Sequence, residues 1–141
     1  MDDKPLVNLR IPAAADRMSL VRETLRSAAR HCGFDPDATK DLVLAVCEAC
    51  QNVVQHGYAG QEPGDIVLTM ERSEDRVIVR IRDFAAPVDP TKIKSRDLDD
   101  VRPGGLGIHF ITHLMDSAEF LPGADGIGNV LQMTKRFKGA T

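Results

Sequence analysis

Nowhere does an apolar run approach the roughly 20 residues that a helix needs to cross a bilayer. The opening residues, Asp2, Asp3 and Lys4 before Pro5, offer no apolar stretch of the kind that heads a secreted precursor. A soluble protein of the cytoplasm is therefore expected, with no membrane among its partners. A basic field is missing too. Lys and Arg number 18 against 21 Asp and Glu, for a formal charge of -3 and a pI near 5.8. Direct nucleic-acid binding would need a local patch that the sequence does not display. Cysteine is scarce and odd in number: Cys32, Cys47 and Cys50 fall in helical patterns and read as reduced core thiols, not as a disulfide framework. Cys47 and Cys50 have no second pair at zinc-site spacing, so a zinc site is not expected. Repeats and low-complexity tracts are also absent. A chain of 141 residues suffices for one domain around a single core, and residues 1–141 are read as such.

What is present is a series of short, well-punctuated elements. Val7, Leu9 and Ile11 alternate and stop at Pro12, which predicts a first strand. From about Asp16 to Cys32, Met18, Val21, Leu25, Ala28, Ala29 and Cys32 recur at helical spacing, and Gly33 supplies the stop. Asp35 as cap and Pro36 at the first helical position open a second helix, predicted to run to His56 on a stripe of Leu42, Val46, Ala49 and Val53. Ile66 to Glu71 and Arg76 to Asp83 predict a hairpin. A helix is predicted from Ile108 to Met115, and Ser117 to Leu121 with Asn129 to Phe137 predicts a second hairpin. Strand pairs without crossovers, together with three helices, predict an α+β two-layer sandwich. Its sheet would be mixed, mostly antiparallel and of about five strands, with the helices on one face.

Chemistry concentrates at a few positions. Glu48 and Asn52 lie four residues apart, which places an acid and an amide on one helical face, suited to proton transfer beside a divalent cation. His56 continues the same spacing, with Gln51 and Gln55 alongside. Asp83 closes a strand, where a carboxylate can accept from the amino group of a base or simply cap a turn. Gly104, Gly105 and Gly107 precede the third helix in a layout that suits a phosphate held by backbone N–H groups. Between them, 84–103 loses all periodicity and reads as a binding loop or nucleotide lid. Arg102 is a secondary phosphate-neutralising candidate, and His109 and His113 share a helix face as surface or packing residues.

In these residues the chain resembles the GHKL ATPase and kinase superfamily, and within it the small anti-sigma factor serine kinases. The resemblance lies in the run Glu48-Ala49-Cys50-Gln51-Asn52-Val53-Val54-Gln55-His56-Gly57-Tyr58, in Asp83, and in Gly104-Gly105-Leu106-Gly107. It implies a Bergerat-type ATP-binding fold, with ATP and Mg²⁺ as cofactors. Glu48 would be the general base, Asn52 the Mg²⁺ ligand, Asp83 the adenine acceptor, and the N–H groups of Gly104, Gly105 and Gly107 the phosphate cradle. It further implies a sigma factor and a STAS-domain antagonist as partners, and a homodimer.

Two positions depart from the family pattern. Ala85 stands where a glycine is usual, which removes freedom at positive φ, would crowd the nucleotide and favours a degenerate site. Asn129 follows Gly128 where a threonine is common, a polar replacement that would keep a hydrogen bond at the nucleotide site in a different geometry. Two alternatives accompany the kinase reading. One is a non-enzymatic partner-switching module that retains the fold with a degenerate nucleotide site. The other is a nucleotide hydrolase without an acceptor protein.

Overall fold

The computed structural model describes residues 5–58, 64–85, 103–123 and 126–138, with backbone alone at 56 and 103–108. Most of the expected lid, from 86 to 102, lies outside the described residues, and so does Arg102. The first strand, β1, spans Val7–Pro12. A single 3₁₀ turn, Ala15–Arg17, leads into α1, Met18–His31. Met18, Val21, Leu25, Ala28 and Ala29 form its buried stripe, as their spacing predicts. At its end Gly33 adopts φ +90°. Its N–H donates to the Arg30 carbonyl (2.9 Å) and that of Phe34 to the Ala29 carbonyl (3.1 Å), the paired bonds of a Schellman stop. A side chain at position 33 would strain that turn.

Helix α2 spans Pro36–Asn52 and begins as the sequence dictates. Asp35 Oδ1 accepts from the Ala38 N–H at 2.8 Å, and Pro36 fills the first turn, where no N–H is needed. The predicted continuation to His56 is helical but not α: Val53–Gly57 forms a π turn. The four-residue spacing therefore carries Glu48 to Asn52 on one face but does not continue to position 56, because π pairing inserts an extra residue into the turn.

Strands β2, Asp65–Arg72, and β3, Arg76–Asp83, make the first hairpin. Helix α3 runs Pro103–Leu114, and β4, Ser117–Pro122, with β5, Asn129–Arg136, makes the second. The start of α3 corrects the sequence reading. Gly104, Gly105 and Gly107 form the helix's own first turns instead of a loop ahead of Ile108. Pro103 explains the shift: its fixed φ is already helical, and its missing N–H would have no partner at a helix start.

The five strands form one sheet in the order β1-β2-β3-β5-β4, and each of the four described pairings is antiparallel. Alternation puts Ile66, Leu68 and Met70 of β2, Val77, Val79 and Ile81 of β3, and Leu131 and Met133 of β5 on one buried face. The register aligns them in cross-strand rows, Leu68–Ile81–Leu131 and Met70–Val79–Met133. The helices cover this face, α2 packing against both α1 and α3. The opposite face carries a polar ladder, in which Arg80 pairs with Glu71, Arg80 Nε donates to Gln132 Oε1 (2.8 Å), and Gln132 donates to Glu119. This is the two-layer α+β sandwich expected, of the Bergerat type. Among the described residues no helix is long and apolar enough to cross a membrane.

Met133 is fully buried in the middle of the sheet, whereas Glu119 ends the solvent-side ladder on an edge strand. Met133→Ala is expected to destabilise by about 2–5 kcal/mol, and Glu119→Ala by about 0.5 kcal/mol or less, in urea unfolding. Equal effects would contradict the assignment of the two sheet faces.

Candidate functional site

The site begins where α2 ends. Glu48 lies half-buried on α2, and burial pushes its carboxyl above the ordinary range. One turn later Asn52 closes the α-helical part. Its Oδ1 is buried and has no hydrogen-bond partner among the described residues, and the same holds for Gln51 Oε1 beside it. Buried polar atoms are nearly always satisfied, so two orphan acceptors on consecutive residues call for a donor or a cation. The π turn that follows is a feature that recurs at functional sites because it re-aims the chain.

That turn delivers the chain to the end of β3. A Cβ built on Gly57 would stand 3.7 Å from Asp83 Oδ2, which measures how closely the end of the π turn approaches this carboxylate. Asp83 continues the inward row of Val77, Val79 and Ile81, so the strand's period of two turns its side chain toward the core, where it is only 7% exposed. Oδ1 accepts from the Ala85 N–H (3.0 Å) and from Asn129 Nδ2 (3.0 Å). Both of these bonds fall on Oδ1, which fixes the carboxylate plane and leaves Oδ2 on the side of Gly57.

Register supplies the second of these donors, since Asn129 is the β5 partner of Asp83. The turn before it fits only without a side chain: Gly128 has φ +76°, and a Cβ there would lie 2.0 Å from the Asp83 carbonyl oxygen. Ala85, the departure from glycine, is 2% exposed and packs into the hydrophobic core while its N–H holds Asp83.

Tyr58 is a participant that the sequence reading did not single out. Its hydroxyl donates to the Asp65 carbonyl (2.7 Å) and accepts from the Phe84 N–H (2.8 Å). It thereby ties the start of β2 to the residue after Asp83. The ring is 8% exposed, and burial is the main cause that raises its pKa. As the only tyrosine in the chain, placed directly after the π turn, it carried a signal in its position. On the outer side, Phe84 is flanked by the guanidinium groups of Arg10 and Arg82 at 5.0 and 4.8 Å from its ring centre.

Of the predicted site residues, the structure brings Asp83 and Asn129 into direct contact and sets the end of the π turn that follows α2 beside Asp83. Glu48 and Asn52 share one face of α2 as expected. Gly104, Gly105 and Gly107 lie in the first turns of α3, which packs on α2. With α3 starting at Pro103, the N–H groups of Gly104 and Gly105 are among those a helix N-terminus leaves without an acceptor, where an anion is favoured, whereas that of Gly107 falls to the Pro103 carbonyl four residues back. His109 and His113 are both exposed on α3.

Over residues 11–135 the sequence matches the histidine kinase-like ATPase domain. The chain belongs to this family. The resemblance to GHKL proteins holds at that level, and the named relatives are kinases. The chain is similar to the serine-protein kinase RsbW of Listeria innocua, 35% identical over 127 residues that cover 84% of this chain and 80% of that protein. It is also similar to the serine-protein kinase RsbW of Halalkalibacterium halodurans, 32% identical over 137 residues, 92% of this chain and 82% of that one. Among solved structures, the RsbU and RsbW domains of a Mycobacterium tuberculosis protein match with a TM-score of 0.65 at 24% identity. That match covers 94% of this chain and spans 33% of the longer one, and it bears on the fold.

Two outcomes are expected from this geometry. Tyr58→Phe strips one buried carbonyl and one N–H of their partner and should cost about 1–3 kcal/mol in urea unfolding. A neutral result would mean that the bridge contributes nothing. For Glu48, the folded protein holds the proton to higher pH than the unfolded chain does. Its contribution to stability is therefore full below the ordinary carboxylate value, about pH 4, and is lost as pH rises through the raised value. Stability of Glu48→Gln relative to wild type should rise across that window and then level off. A flat difference from acid to neutral pH would show that Glu48 is not perturbed.

Proposed function

We propose that this chain is an ATP-dependent protein-serine kinase and anti-sigma factor of the cytoplasm, acting as a homodimer. In one state it would hold a sigma factor, and in another it would phosphorylate a STAS-domain antagonist. Family membership and similarity to serine-protein kinases support the reaction class. The observation that carries the site assignment is the buried, unpartnered Oδ1 of Asn52 at the end of α2, from which the π turn leads to Gly57 beside the buried Asp83.

In this reading Asp83 Oδ2 accepts from the 6-amino group of adenine, while Asn129 and the Ala85 N–H hold the carboxylate in plane. An oxygen without a donor is suited to a hard cation, so Asn52 fits Mg²⁺. When bound, the ion supplies charge neutralisation and orientation for the phosphates. The N–H groups of Gly104 and Gly105 at the start of α3 would meet the phosphates, and Gly107, having no side chain, would let them approach the helix closely. Glu48 removes the proton from the acceptor serine hydroxyl as its oxygen attacks the γ-phosphorus. The new P–O bond forms as the bond to the β-phosphate oxygen breaks, and ADP leaves. Burial suits Glu48 to this role, because a raised pKa makes it a stronger base than a free carboxylate.

The alternative of a degenerate, non-enzymatic module rested on Ala85. Its methyl group lies in the hydrophobic core and its N–H is spent on Asp83, which supports a working nucleotide site.

The test is titration of the purified chain with ATP and Mg²⁺, followed by transfer of labelled phosphate to a STAS-domain protein. Asn52→Ala is expected to weaken Mg²⁺-dependent ATP binding at least tenfold. Glu48→Gln should leave binding within about twofold and lower turnover by about 10²-fold or more. Failure of the wild type to bind ATP at millimolar concentration would establish the non-enzymatic reading. Phosphate released without an acceptor protein would indicate a hydrolase.

A further inference from the structure

On the far side of α2 from Asn52, the seam between α1 and α2 opens into a cavity of about 500 Å³. Its wall on α1 is a row of arginines, Arg22, Arg26 and Arg30, spaced four residues apart and so aligned on one helix face. Lys40 of α2 stands across from them. Like charges at this spacing repel, and only Arg26 has an acidic partner, Glu23. Among the described residues Arg22, Arg30 and Lys40 make no ion pair. Among the described residues no ion pair therefore accounts for Arg22, Arg30 or Lys40 at this seam.

Beneath the cations the lining is apolar. Phe34 and Val43 are buried, and Leu44, 40% exposed, sits at the mouth. Cys47 also lines the cavity, close enough to Arg22 and Arg26 for both to act on its thiol.

We propose that this cavity is a binding site, separate from the nucleotide site, for a small organic anion with an apolar body. The carboxylate, sulfonate or phosphate end meets Arg22, Arg30 and Lys40, and the hydrocarbon or aromatic part lies on Val43, Leu44 and Phe34. The volume falls within the range of about 300–1,000 Å³ typical of small-molecule sites. A small molecule can be held whole in this volume, whereas a protein helix, about 10–12 Å across with its side chains, could lie only partly in it. The inference does not depend on the kinase assignment, because none of the cavity residues is a proposed nucleotide ligand.

The chain carries its own reporter. Cys32 and Cys50 are buried, whereas Cys47 is partly exposed and lines the cavity, so occupancy should shield one thiol. The probe is 8-anilinonaphthalene-1-sulfonate, titrated by fluorescence with saturating ATP and Mg²⁺ present so that the nucleotide site is closed to it. Alkylation of Cys47 by N-ethylmaleimide is followed in parallel by peptide mass. Saturable one-to-one binding is expected, with at least fivefold protection of Cys47. Arg22→Gln combined with Arg30→Gln should lose at least fivefold in affinity while its melting temperature stays unchanged, and the neutral analogue N-phenyl-1-naphthylamine should protect Cys47 far less.

Dye binding that leaves Cys47 unprotected would overturn the proposal, as would equal protection by the neutral analogue or undiminished affinity in the arginine variant. Alkylation that is slow without ligand and accelerates on dilution would mean that a second copy of the chain covers the groove, which also overturns it. Failure of the kinase reading would register in the ATP titration and would leave the Cys47 result standing.

Discussion

The candidate site is organised around one buried carboxylate. Strand periodicity points Asp83 inward, at the end of a row that is otherwise Val77, Val79 and Ile81, and a charge in that position is costly unless it is met by donors. The donors come from two directions. Ala85 supplies an N–H from just beyond the strand, and Asn129 supplies an amide through the β3–β5 register. The second depends on Gly128, whose positive φ and missing side chain let the turn into β5 pass against the Asp83 backbone. The sheet order, the β5 register and the β4–β5 turn thus all bear on how a single carboxyl group is held.

The same economy governs the end of α2. A regular helix would carry position 56 onward in line with Glu48 and Asn52. The π turn redirects the chain instead, bringing Gly57 beside Asp83 and Tyr58 beneath the β2–β3 ends. Tyr58 then spans two strands with one hydroxyl, satisfying a carbonyl and an N–H that pairing between strands leaves over. Local irregularity therefore positions the site, while the regular parts of α2 serve the core through Leu42, Val46 and Ala49.

Elements defined by local chemistry were readable from sequence. Asp35 and Pro36 at the start of α2, Gly33 at the end of α1, and the alternation in β2 and β3 each act within a few residues, and each proved to be where its chemistry put it. Asp83 was readable for a related reason, as a carboxylate that closes a strand ahead of an aperiodic segment, although its parity with the buried row Val77, Val79 and Ile81 emerges only in the fold. The π turn was not, because its sequence, Val53 to Gly57, keeps an apolar α-like pattern and the deviation is set by where the chain must go next. Nor was the role of Tyr58, which depends on two backbone groups distant in sequence. The start of α3 was misjudged because glycines were weighed as loop formers, while Pro103 ahead of them acts as a helix initiator.

A helix that starts on glycines bears an energetic cost. Glycine in a helix costs about 0.5–1 kcal/mol relative to alanine, and α3 has three glycines in its first five residues. Its other end is held in several ways: Ile111 and Met115 are buried, and Lys135 Nζ donates to the Leu114 carbonyl at 2.8 Å, placing a cation at the helix C-terminus where the dipole favours it. Stability in α3 is therefore graded along its length, strong beside β5 and weak at Pro103. The N–H groups assigned to phosphate lie at the weak end, where the backbone can adjust to an anion at little energetic cost. An anion that engages those N–H groups would in turn supply the stabilisation that the glycines withhold.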